Sequence, residues 1–138
     1  MGPGIDVLLI DDDRLDVKTV QRAFRVARVE GQLSTAGSGE SALRGLRSQR
    51  FRPQLILLDL NMPAMNGLEF LQEIKRDQKL RVIPVVVLTT STQTTDRDQS
   101  FELGAAGYLV KEREFDEFVE VIRTLREYWT TSQLPEWQ

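Results

Sequence analysis

Short aliphatic runs alternate along this chain with segments in which apolar residues recur every three or four positions. Ile5-Asp6-Val7-Leu8-Leu9-Ile10 is almost continuously aliphatic, as expected of a strand covered on both faces. Leu55-Ile56-Leu57-Leu58, after Pro53, reads the same way. Val85-Val86-Val87-Leu88 follows Pro84, and its β-branched content favours strand over helix. Two shorter pieces, Leu33 to Ala36 and Tyr108-Leu109-Val110, complete a set of five strands. Helices fill the gaps. Val17, Val20, Phe24 and Ala27 fall at helical spacing, and Ser38 or Gly39 can cap a second helix running to about Ser48. Leu68, Leu71 and Ile74 mark a third, begun after Asn66-Gly67. The fourth, Thr94 to Leu103, is polar, with Phe101 and Leu103 its main apolar residues and Gly104 its stop. The fifth runs from about Glu114 to Tyr128 or Trp129.

Five strands alternating with five helices predict an α/β fold, a parallel sheet with helices on both faces. Right-handed crossovers restrict the topology, and the flavodoxin-like (βα)5 arrangement with strand order 2-1-3-4-5 is the expected one. At 138 residues, with no linker, repeat or low-complexity stretch, the chain reads as one domain over residues 5–129. A short tail, residues 130–138, with no effector domain is the expected remainder. In such sheets ligands bind at the carboxyl ends of the strands, beside the point where strand order reverses.

Composition narrows the chemistry. The chain has no cysteine and no histidine. Disulfides, thiolate zinc sites, thiol nucleophiles, imidazole bases and a phosphohistidine on this chain are thereby excluded. Carboxylates, hydroxyls and lysines remain. Eighteen basic residues against twenty-one acidic give a formal charge of −3, which offers no strong hold on nucleic acid, and the tail is too short for a DNA-binding unit. No DNA binding by this chain is expected. The apolar runs fall far short of the about 20 residues a membrane span needs. Met1-Gly2-Pro3-Gly4 lacks the positive segment of a signal peptide, so a cytoplasmic protein without membrane association is expected.

The strand ends carry one kind of chemistry. The first strand ends in Asp11-Asp12-Asp13, the third in Asp59-Leu60-Asn61, the fourth in Thr89-Thr90-Ser91 and the fifth in Lys111. Strands one, three and four are neighbours in the expected order, so these groups converge on one crevice. Clustered carboxylates repel unless a cation or protons compensate, and Mg²⁺ with oxygen ligands is the natural partner. Lys111 adds a positive charge and Thr89 a hydroxyl, a set suited to a tetrahedral anion beside a metal. Taken singly, each residue has a plainer role. Asp13 is a fair helix cap, Asp59 a turn residue, Thr89 an ordinary strand end and Lys111 a solvated charge.

These pieces resemble the receiver domain of two-component response regulators. The matching motifs are Val7-Leu8-Leu9-Ile10-Asp11-Asp12-Asp13, Asp59-Leu60-Asn61-Met62-Pro63 with Asn66-Gly67, Val87-Leu88-Thr89-Thr90-Ser91, and Gly107-Tyr108-Leu109-Val110-Lys111. They span about residue 5 to residue 129. The resemblance implies that Asp59 accepts a phosphoryl group from a phosphohistidine on a sensor histidine kinase. It implies that Asp11, Asp12, Asp59 and the backbone carbonyl of Asn61 hold Mg²⁺ (or Mn²⁺). It further implies that Thr89, with Thr90 beside it, and Lys111 bind phosphoryl oxygens, while Tyr108 is the switch aromatic; a strand-face aromatic that only packs is the alternative for Tyr108. Met62 and Pro63 serve loop geometry and packing, and Gly67 permits a tight backbone near the next helix, with helix-start packing alone as the alternative. One departure concerns Glu112, which stands where the family usually has proline after the lysine. A cis bond without proline costs about 3–4 kcal/mol, so a trans Lys111–Glu112 bond is expected. Val85 to Ser91 and the polar helix after it most resemble stand-alone receivers found beside bacterial and cyanobacterial phytochrome kinases, which suggests a bacteriophytochrome as partner.

The last helix carries Phe115, Phe118, Val119, Ile122 and Trp129 on a core-facing stripe, which Val121, Leu125 and Tyr128 widen. The surplus is expected to join the fifth strand in a homodimer; folding back of Leu134 and Trp137 over it is the alternative. Three rivals to a phosphoacceptor are weaker. A haloacid-dehalogenase-type phosphatase needs a second aspartate where Asn61 stands, a flavodoxin-like cofactor binder needs a Ser/Thr/Gly phosphate loop where Asp11-Asp12-Asp13 stands, and an inert adaptor need not fill the acceptor-site positions.

Overall fold

The computed structural model describes residues 4–111, 114–132, 134 and 137. Its elements run β1 (Val7–Ile10), α1 (Arg14–Val26), β2 (Leu33–Ala36), α2 (Gly39–Arg47), β3 (Leu55–Leu58), α3 (Gly67–Arg76), β4 (Val85–Thr89), α4 (Thr94–Glu102), β5 (Gly107–Val110) and α5 (Phe115–Thr131). The strands form one sheet in the order β2-β1-β3-β4-β5, and every neighbouring pair is parallel. The expected topology is therefore the observed one.

Strand periodicity splits the core in two. Leu8, Ile10, Ile56, Leu58 and Val85 face α2 and α3, where Ala42, Leu43, Leu46, Phe70, Leu71 and Ile74 close the layer. Val7, Leu9, Leu55, Leu57, Val86 and Leu88 face α1 and α5, against Val20, Phe24, Phe118, Val119 and Ile122. Every residue of β1, β3 and β4 is buried, whereas all four of β5 are half-buried. Phe70 is fully buried while Leu68 is half-exposed, so α3 packs through a slightly different stripe from the one its leucines suggest.

Local chemistry fixes the helix starts. Ser38 accepts from the Ser41 N–H to cap α2, and Asn66 and Glu69 form a reciprocal capping box on α3. The α4 helix has no side-chain cap, and Ser100 is its one buried residue among those described. Beyond α5, Leu134 packs against the α1-side core. Trp137 packs against the opposite core and donates from Nε1 to the Pro53 carbonyl at 2.6 Å, at the amino-terminal end of the sheet. Glu112, and with it the expected trans bond, lies outside the described residues.

Candidate functional site

The acidic triplet after β1 is divided between two tasks. Asp13 caps α1, accepting from the N–H groups of Leu15 at 2.9 Å and Asp16 at 3.2 Å. Asp11 turns the other way: it is buried, its N–H donates to the Ala36 carbonyl, and its Oδ1 accepts from the Asp13 N–H at 2.9 Å. Asp12 is exposed at the rim.

Asp59 follows β3 and is only 6% exposed. Its N–H donates to the Ile10 carbonyl at 3.0 Å, a ladder bond that sets it beside Asp11. Gly67 closes the loop behind it. A Cβ at Gly67 would stand 2.5 Å from the Asp59 carbonyl oxygen and 2.6 Å from Leu60 Cα, so only glycine allows α3 to start this close to the end of β3. Met62, in the same loop, is a buried core residue.

Carboxylate oxygens of Asp11, Asp12 and Asp59 lie within 4.8 Å of one another. An all-oxygen, all-anionic set suits a hard divalent cation, and the residues present fit one. Lys111 supplies a countercharge. Its N–H donates to the Thr89 carbonyl at 2.7 Å, and its Nζ lies 2.6 Å from Asp11 Oδ2, 3.1 Å from Asp16 Oδ2 and 3.9 Å from Asp59 Oδ1. Burial draws the Lys111 pKa down, but the Asp11 hydrogen bond and the surrounding carboxylates outweigh it, and the net shift is upward. For Asp59 burial is the largest effect. Together with Asp11 and Asp12 it outweighs Lys111 and the Asn61 N–H, pushing the carboxyl from 3.8 up to about 6.

The β4 end brings a second set. Thr89 is fully buried and Thr90 exposed. The Thr89 hydroxyl accepts from the Ser91 N–H at 3.3 Å. Ser91 donates from Oγ to Asp96 Oδ2 at 2.5 Å, and the Tyr108 hydroxyl donates to the Ser91 carbonyl at 2.9 Å. Thr89, Ser91, α4 and Tyr108 thus form one hydrogen-bonded chain. Asp16 and Asp96 escaped the sequence reading because each looks like an ordinary first-turn acid; only the packing of α1 and α4 near the strand ends gives them partners.

The surplus residues of α5 differ among themselves. Leu125 packs against the α1-side core, Val121 is half-buried and Tyr128 is 63% exposed. Leu134 and Trp137 leave Tyr128 exposed. No helix among the described residues is long and apolar enough to cross a membrane.

The chain is similar to known proteins over most of its length. Residues 7–123 match the family model for the response regulator receiver domain. Response regulator Rcp1 of Synechocystis is 36% identical over 128 residues, covering 89% of this chain and 87% of Rcp1. The crystal structure of the phosphorylated cyanobacterial phytochrome response regulator RcpA superposes with a TM-score of 0.88 at 34% identity, covering 97% of this chain and 100% of RcpA. The Mn²⁺-bound form of Rcp1 gives 0.84 at 35% identity, covering 95% and 99%. This chain belongs to the response regulator receiver domain family.

Proposed function

We propose that this protein is a phosphoacceptor switch in which Asp59 takes a phosphoryl group from a phosphohistidine of a sensor histidine kinase. The convergence of Asp59 with Asp11, Asp12 and Lys111 at three strand ends carries the reading. An Asp59 carboxylate oxygen attacks phosphorus, the N–P bond of the donor breaks, and the imidazole nitrogen leaves with the electron pair and takes up a proton. Such transfers depend on in-line positioning and charge neutralisation more than on covalent assistance. Asp11, Asp12, Asp59 and the Asn61 carbonyl would hold Mg²⁺ or Mn²⁺, which neutralises phosphoryl charge when bound. Lys111 neutralises charge from the opposite side, and the Thr89 hydroxyl donates to a phosphoryl oxygen. A Thr89 that moves toward that oxygen draws on Ser91 through their hydrogen bond, and so on α4 and Tyr108. The switched surface is α4, β5 and α5, read out by protein contact or onward phosphorelay. The similarity to phytochrome response regulators supports a bacteriophytochrome as the kinase.

Incubation with Mg²⁺ and acetyl phosphate, followed by intact mass, tests the reaction. One added phosphoryl group is expected, absent in Asp59→Asn. An unmodified wild-type protein overturns the reading. Exposed Tyr128 and half-buried Val121, with Leu125 supporting them from the core side, also favour a homodimer through β5 and α5. Ultracentrifugation at micromolar concentration, with and without a phosphoryl mimic, checks it; monomer throughout excludes the dimer.

A further inference from the structure

Lys111 does not face the acceptor alone. An ammonium has three donors, and here one goes to Asp11 at 2.6 Å and one to Asp16 at 3.1 Å, while Asp59 Oδ1 stands off at 3.9 Å. The two partners differ in kind. Asp11 belongs to the carboxylate group that can hold a cation, and Asp16 does not. Asp16 sits in the first turn of α1, with its N–H bound by the Asp13 cap, and reaches Lys111 from a helix instead of from a strand end. The surroundings also leave room for movement. A cavity of about 130 Å³ opens beside the pair, lined by Asp16, Thr19, Val20, Lys111, Phe115 and Phe118.

We infer that Asp16 is a positioning residue that competes with the phosphoryl group for Lys111 and thereby lowers the stability of the phosphorylated state. The inference rests on Asp59 being the acceptor. When a phosphoryl group occupies Asp59, the ammonium shifts toward it from a 3.9 Å separation and weakens its pair with Asp16. The strength of that pair is then subtracted from whatever Lys111 contributes to the phosphorylated form. Asp16 is 39% exposed at its side chain, so the effect is moderate.

The test is the affinity of the Mg²⁺-loaded protein for beryllium fluoride, a phosphoryl mimic, followed by fluorine NMR. Asp16→Asn is expected to bind about five-fold more tightly than wild type, in line with a partly exposed ion pair. Asp16→Ser should do the same, and Asp16→Glu should return the affinity toward the wild-type value. A merely structural role for Asp16 would weaken binding, not strengthen it, and thermal melting of each variant reports on the fold. Unchanged or weaker binding in both charge-removing variants overturns the inference while leaving the acceptor reading intact. A wild-type protein that takes up no beryllium fluoride, like the Asp59→Asn control, overturns both.

Discussion

The helices α3 and α4 are of similar length and flank the same crevice, yet they are held in different ways. The α3 helix is closed by the Asn66–Glu69 capping box and buries Phe70, Leu71 and Ile74 completely. The α4 helix has no side-chain cap, buries Ser100, and leaves Phe101 47% exposed. Its start is tied instead to the site by the Ser91–Asp96 bond, and the Ser91 carbonyl accepts from Tyr108. Apolar burial fixes an element in one place, because any displacement exposes surface and opens a cavity. A few hydrogen bonds can be exchanged at little cost. Under the proposed phosphoacceptor function, a charge arriving at Asp59 is expected to act on the α4 and β5 side, where every β5 residue is only half-buried.

The contrast is most directly broken by truncating an aromatic on each helix. Phe70→Ala should cost about 3–5 kcal/mol, whereas Phe101→Ala should cost less than about 0.5 kcal/mol. Urea unfolding of the two variants checks this, and similar costs would remove the distinction.

A smaller effect concerns the charge that the crevice tolerates. In the metal-free protein Asp59 titrates at about 6 when folded, against an ordinary value of 3.8. The unfolded chain gives up this proton first, so protonated Asp59 favours the folded state. That contribution is complete below pH 3.8 and is lost as pH rises through about 6. At neutral pH the ionised group destabilises the fold, and Asp59→Asn should stabilise the metal-free protein by about 3 kcal/mol. Denaturation midpoints measured across this window should converge at acid pH and separate near neutrality. Added Mg²⁺ should narrow the neutral-pH difference, because it stabilises wild type by binding its carboxylates.

The smallest effect sharpens the account of how α4 is held. Ser91→Ala removes the bond to Asp96 and the acceptor for the Gln93 N–H. A loss of about 1 kcal/mol, read as faster hydrogen exchange in the first turn of α4, is expected. Exchange in α3 should not change.

Much of this was legible along the chain. Ile5 to Ile10, Leu55 to Leu58 and Val85 to Leu88 announce buried parallel strands because both faces of each must be apolar. The polarity of α4 was equally plain. Asp11, Asp59, Thr89 and Lys111 stood out because strand-end residues of the right chemistry cannot gather four times by local preference alone. Phe70 was less visible than Leu68, although Phe70 is the one packed between sheet and helix. Leu125 reads along the chain as surplus apolar surface, but in three dimensions it packs against the α1-side core. Trp137 gave no sign of its Pro53 contact, which spans 84 positions.

The sequence by itself determined the element order, the buried strands and the set of groups available for chemistry, since these follow from local periodicity and from which residue types are present. Asp13 as a helix cap and Asp11 beside Asp59 were also readable from it, but the further partners within that set were decided only in three dimensions. Asp16 became a second partner for Lys111 across 95 positions, and Ser91 joined Thr89 to α4 and Tyr108. Hydrogen bonds and ion pairs act over a few ångströms, so their partners are set by how helices cross the sheet, a geometry that no stretch of sequence contains on its own.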